Sequence, residues 1–133
     1  MMRLLDLLRV TLDYTGAKEG CGEGECGSCS VYLNGRIVNS CLVPALQAEG
    51  GQIMTVEALE HDPLGQRLQA GFRECGGAQC GICTPGMLLA AHQLLSHNAK
   101  PTREEVQVGL SGNLCRCTGY MKIYDSVLKA AES

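Results

Sequence analysis

Leu4, Leu5, Leu7 and Leu8 crowd the start of the chain and predict a short helix over residues 2–9. Two β-rich runs, Ser30-Val31-Tyr32-Leu33 and Arg36-Ile37-Val38, flank Asn34-Gly35. An Asn-Gly pair between such runs predicts a type I′ hairpin, because both turn residues must adopt positive φ. Ile53-Met54-Thr55-Val56 predicts one more short strand. Beyond residue 60 the apolar period changes from strand-like to helical. Asp62-Pro63 is a cap followed by a first-turn proline, and Leu64, Leu68, Phe72 and Cys75 then form one stripe. Thr84-Pro85 repeats that start, with Met87, Leu88, Ala91, Leu94 and Leu95 as the apolar face. Thr102-Arg103-Glu104-Glu105 is a capping box that opens a helix through about Leu110. Ile123, Tyr124, Val127, Leu128 and Ala131 mark a last helix. The pattern predicts an α+β protein of two small units, residues 1–59 and 60–133, joined near Leu59 to Asp62. The second unit reads as a compact bundle of four short helices.

Composition changes the picture in one respect. The 133 residues include nine Cys, one Phe, four Tyr and no Trp. A small chain so poor in aromatics often needs cross-links or metal besides burial. Met1 to Leu12 is interrupted by Arg3, Asp6 and Arg9, so it lacks the apolar core of a signal peptide, and it holds no twin-arginine pair. This predicts a cytoplasmic, reducing location, where an odd number of cysteines reads as metal-binding thiolates rather than disulfides. With 45% apolar and 19% charged residues, the chain is neither disordered nor fibrous. A net charge of −3 gives no footprint for nucleic acid or anionic membrane. No apolar run approaches the roughly 18 residues of a membrane span.

The first cysteine group is Cys21-Gly-Glu-Gly-Glu-Cys26-Gly-Ser-Cys29, followed by Cys41. C-x4-C-x2-C with a more distant fourth Cys is the plant-type [2Fe–2S] pattern. Four thiolates must converge on two irons while backbone wraps closely around sulfide. Gly22, Gly24 and Gly27 permit the positive φ values that such a loop needs. A structural zinc site also takes four Cys, but it more often pairs two short knuckles. The same glycines spell G-x-G-x-x-G, the dinucleotide fingerprint. No buried strand precedes them, so that motif is set aside.

The second group is Cys75, Cys80, Cys83, Cys115 and Cys117. By spacing alone, Cys75, Cys80 and Cys83 repeat C-x4-C-x2-C. A competing reading joins Cys80 and Cys83 with Cys115 and Cys117 and leaves Cys75 out. Two arguments favour the latter. Cys115 and Cys117 are most economically used by one site, and Cys75 continues an apolar stripe, where a free Cys behaves as a small hydrophobe. Cys83 would precede one helix and Cys117 another, where free N–H groups favour thiolates.

Three motifs now stand together: Cys21 to Cys29, Gln79-Cys-Gly-Ile-Cys-Thr-Pro-Gly86, and Gly112-Asn-Leu-Cys-Arg-Cys-Thr-Gly-Tyr120. They resemble the small iron–sulfur subunit of the molybdenum hydroxylases, the family of xanthine dehydrogenase, aldehyde oxidoreductase and carbon monoxide dehydrogenase. The resemblance runs from about Leu4 to Ala131. It implies a β-grasp, ferredoxin-like N-terminal domain and a C-terminal four-helix bundle. It implies one [2Fe–2S] cluster on Cys21, Cys26, Cys29 and Cys41, and another on Cys80, Cys83, Cys115 and Cys117, with no fixed ligand at Cys75. It implies a molybdenum–pterin cofactor in a large partner subunit, FAD in a medium one, and a dimer of such heterotrimers. Electrons would pass from the molybdenum centre through both clusters to the flavin. Gln79 and Cys117 match positions that touch the pterin. The chain itself would carry no catalytic residue. Family members begin with a β-hairpin ahead of the leucine-rich helix, whereas this sequence begins at that helix. The sheet is then completed by residues further upstream or by a partner.

The histidines carry no comparable signal. His92 and His97 are expected on the outer side of their helix. A Rieske centre would need His paired with Cys in each ligand loop, and none is.

Overall fold

The computed structural model describes residues 1–132. Its chain order is helix, hairpin, strand and then four helices, so sheet and helices are segregated along the sequence. Helix α1 (Leu4–Asp6) runs directly into a π-helical turn (Leu7–Thr11), two residues later than the leucine pattern predicted. Strands β1 (Ser30–Leu33) and β2 (Arg36–Asn39) form the expected hairpin, with Leu33 opposite Arg36. Its two turn residues, Asn34 and Gly35, have φ of 51° and 82°. Strand β3 (Ile53–Met54) pairs antiparallel with the other side of β1, giving the order β2-β1-β3. It is shorter than the predicted run, because Val56–His61 coils into a 3₁₀ helix. A second 3₁₀ helix covers Ala45–Ala48.

The helices begin where the capping chemistry lies. Asp62 accepts the Gly65 N–H at 2.8 Å and Pro63 opens α2 (Pro63–Cys75), which ends on Gly76 at φ 71°. Helix α3 (Thr84–His97) starts immediately after Cys83, with Pro85 in its first turn. In α4 (Arg103–Gly109), Thr102 accepts the Glu105 N–H and Glu105 accepts the Thr102 N–H, closing the predicted box. Helix α5 (Met121–Glu132) follows Tyr120. Helix α2 packs against α3 and α5, and α4 packs against both of those.

Two apolar cores result. Leu4, Leu5, Leu8, Val31, Cys29 and Cys41 form the N-terminal one. Leu68, Phe72, Met87, Leu89, Val106, Ile123 and Val127 form the helical one. Burying each such leucine contributes roughly 2 kcal/mol. Strand β1 divides the cores because successive side chains point to opposite faces. Val31 belongs to the first core and Tyr32 to the second. Leu59, fully buried, also belongs to the helical core, so the expected junction is packed rather than a free linker.

A polar chain crosses the same junction. Tyr32 Oη lies 2.9 Å from His92 Nδ1, and His92 Nε2 lies 3.0 Å from Asp62 Oδ2. Asp62, as a carboxylate, can only accept, so His92 donates to it from Nε2 while its Nδ1 meets the Tyr32 hydroxyl. His92 is therefore not on the outer side of α3; the expectation is corrected for it and holds for exposed His97. Helical periodicity could not reveal a partner 60 residues away on a strand.

Candidate metal centres

The Cys21–Cys29 segment is a loop whose backbone turns inward on its own sulfur. The N–H groups of Glu23, Glu25 and Cys26 donate to Cys21 Sγ at 3.3, 3.3 and 3.4 Å. These donors lower the Cys21 thiol to about 7. Cys26 Sγ meets the Ser28 N–H and hydroxyl, each at 3.5 Å. Cys29 leads into β1 and Cys41 follows β2, so the hairpin folds Cys41 back beside Cys29. The Ser40 hydroxyl ties the two, donating to the Cys29 carbonyl at 2.7 Å. Burial pushes the Cys41 thiol up to about 11, and the adjoining Cys29 thiol adds to the shift. Cys21 also acts on Cys41 electrostatically. The four predicted residues of the first set are thus gathered on one loop and one hairpin.

The second set is assembled from two distant segments. Burial pushes the Cys83 thiol up to about 12, and neighbouring Cys115 and Cys80 reinforce it. The Cys80 thiol raises Cys117 in the same way. Burial opposes ionisation of Cys115, but Thr118 outweighs it and holds that thiol below its ordinary value. Cys83 and Cys115 are buried, while Cys80 and Cys117 are exposed. Gln79 is exposed next to Cys80. Cys75, half-buried at the end of α2, takes no part in these thiol contacts.

The two sets meet. The Leu114 N–H donates to the Cys26 carbonyl at 2.9 Å. The Asn113 carboxamide donates to the Gly27 carbonyl at 3.1 Å. Gly86, in the first turn of α3, lies so close that a Cβ there would strike the Gly27 carbonyl. A cavity of about 420 Å³ runs along this seam, lined by Cys21 and Cys26 from one side and Cys80, Cys83, Cys115 and Cys117 from the other.

The donor chemistry fits iron–sulfur clusters. All eight groups are thiols, N–H groups already point at sulfur, and the buried Thr84 hydroxyl beside Cys83 has no hydrogen-bond partner. A tetrahedral zinc takes four sulfurs at a single centre, whereas a dinuclear cluster spreads its thiolates over two irons. Motif spacing did not disclose Asn113, Thr84, Thr118 or Tyr120. A signal was present for the threonines, each of which directly follows a cysteine.

The [2Fe-2S] binding domain family matches residues 55–128. The nicotinate dehydrogenase small FeS subunit of Eubacterium barkeri is 52% identical over 98% of this chain and 83% of its own length. Aldehyde oxidoreductase of Megalodesulfovibrio gigas is 44% identical over 96% of this chain, which corresponds to only 14% of that protein. Among solved structures, quinoline 2-oxidoreductase from Pseudomonas putida 86 superposes with a TM-score of 0.93 at 47% identity, covering 98% of this chain and 82% of that one. The chain belongs to the small iron–sulfur subunit family of the molybdenum hydroxylases, and its part in such multi-subunit oxidoreductases is electron transfer. Among the described residues no helix is long and apolar enough to cross a membrane.

Proposed function

We propose that this chain holds two [2Fe–2S] clusters, one on Cys21, Cys26, Cys29 and Cys41 and one on Cys80, Cys83, Cys115 and Cys117. Each cluster, when bound, supplies one-electron redox chemistry without proton transfer. The observation that carries the reading is the seam. The Leu114 N–H to Cys26 carbonyl bond joins a residue of the first set to the neighbour of Cys115 in the second.

The second set faces a molybdenum–pterin cofactor in a large partner subunit. Its exposed members support this order, because Cys80, Cys117 and Gln79 lie open beside the exposed apolar side chains of Ile82 and Leu114. Gln79 and Cys117 contact the pterin, and the Cys21 loop is the exit toward FAD in a medium subunit. The aldehyde oxidoreductase match, a small part of one long chain, supports a unit that works docked rather than diffusing. The assembly is a cytoplasmic dimer of heterotrimers. Within the chain, the three-stranded sheet and α1 of residues 1–59 belong to a β-grasp domain. The second unit is a four-helix bundle of α2 to α5.

Iron and sulfide analysis of the protein purified with its partners tests the cluster assignment. Four irons and four sulfides per chain are expected, and zinc, or two irons in intact protein, would sink it. Gln79→Ala should slow cluster reduction by substrate in rapid mixing while leaving both clusters and the flavin in place. Unchanged rates would remove the proposed order.

A further inference from the structure

The two buried thiols of the second set have a feature that its exposed thiols lack. Cys115 and Cys83 each stand beside a threonine hydroxyl. Thr118 Oγ1 lies 3.1 Å from Cys115 Sγ, and the Thr118 N–H lies 3.5 Å from the same sulfur. A hydroxyl has one proton, and its direction depends on what occupies the oxygen's lone pairs. Here the Tyr120 N–H donates to Thr118 Oγ1 at 3.1 Å, which leaves the hydroxyl proton for the sulfur.

Tyr120 can donate in this way because it is held at φ 74°, a left-handed conformation that a tyrosine seldom adopts. Its phenol oxygen accepts the Cys115 N–H at 3.0 Å, and its ring stacks on Tyr124 with centroids 6.2 Å apart. The three bonds close a ring: Cys115 N–H to the Tyr120 phenol, Tyr120 N–H to the Thr118 hydroxyl, and Thr118 O–H to the Cys115 sulfur. Backbone strain retained next to a ligand-bearing loop is a mark of functional constraint. Helix α5 already starts at Met121, so this ring is more than a helix start requires.

We propose that the Thr118 hydroxyl raises the reduction potential of the cluster on Cys80, Cys83, Cys115 and Cys117, with Tyr120 as its positioning residue. This rests on the ligand assignment made above. Reduction adds one electron and no proton, and breaks no bond. Part of the added charge resides on the thiolate sulfurs, so a donor aimed at sulfur stabilises the reduced form more than the oxidised one. The tuning hydroxyl thus acts at a buried ligand rather than at exposed Cys80 or Cys117.

The test is a dithionite titration followed by electron paramagnetic resonance, on the complex purified with its partner subunits. The signal missing from Cys80→Ser identifies the cluster in question. Thr118→Val, which keeps the shape and removes the hydroxyl, should lower the midpoint potential of that cluster alone at four irons per chain. Thr118→Ser should keep the parent value, and Tyr120→Phe should give a smaller shift in the same direction. An unchanged potential at four irons, an equal shift in both clusters, or loss of iron from Thr118→Val would overturn the proposal. A parent complex lacking two clusters would instead overturn the ligand assignment.

Discussion

Cys21 receives three N–H donors from residues two to five positions away, all within one loop. Cys83, in contrast, meets Cys115 only after 31 intervening residues, most of them in α3 and α4, have folded between them. The first set is a local structure closed by a hairpin. The second is a product of helix packing, and it leaves two of its four thiols exposed. The contrast teaches that similar cysteine chemistry can depend on different parts of the fold. The loop set should tolerate damage to the helical core, and the helical set should not.

The largest effects come from the ligands. Cys80→Ser should leave two irons per chain, and Cys21→Ser should leave the complementary two, as read by iron analysis and by which resonance signal survives. Cys75→Ser should keep all four. Loss of a signal in Cys75→Ser would restore the reading in which Cys75, Cys80 and Cys83 form a plant-type site.

A core substitution sharpens the comparison with a smaller change. Leu68 is fully buried in the helical core. Leu68→Ala should cost about 2–5 kcal/mol through lost burial and the cavity left behind. On heating, the variant should release the second cluster well before the first. Simultaneous release would show that the two units melt as one.

The junction between the units gives the smallest effects. Tyr32→Phe removes the hydroxyl that reaches His92 and should cost about 1 kcal/mol in thermal unfolding. Burial of Asp62 opposes its ionisation, but the Gly65 N–H and the His92 ring outweigh that and hold its carboxyl below the ordinary value. A carboxylate depressed in the folded state stabilises the fold above its unfolded pKa of about 4. That contribution is lost as pH falls through the folded value. Asp62→Asn should therefore lose stability at neutral pH, flatten the acid limb of the profile, and converge with the parent at pH values below the folded pKa. An identical acid limb in the variant would remove Asp62 from the account.

Much of the fold could be read in advance because its signals are local. Asp62-Pro63 and the Thr102–Glu105 box start α2 and α4 as written, since a cap needs only residues two or three positions apart. Asn34-Gly35 turns the hairpin for the same reason. The Leu7–Thr11 π turn and the shortened β3 escaped, because periodicity places apolar faces but does not set hydrogen-bond spacing. Cysteine spacing pointed to iron–sulfur chemistry in the first set, where all donors share one loop. It left the second set open between two readings, and resemblance rather than spacing named one.

The sequence by itself determined the caps, the turn, the amphipathic faces and the thiol-rich character of the chain. Each depends on residues close enough to interact in almost any compact state. Tertiary structure alone decided that Cys80 and Cys83 stand beside Cys115 and Cys117, that Gly27 and Gly86 touch, and that His92 lies between a strand and a helix cap. It also decided where the hydroxyl of Thr118 points. These are contacts between segments, or orientations set by a neighbour's strained backbone, and they exist only once the apolar cores have brought the segments together.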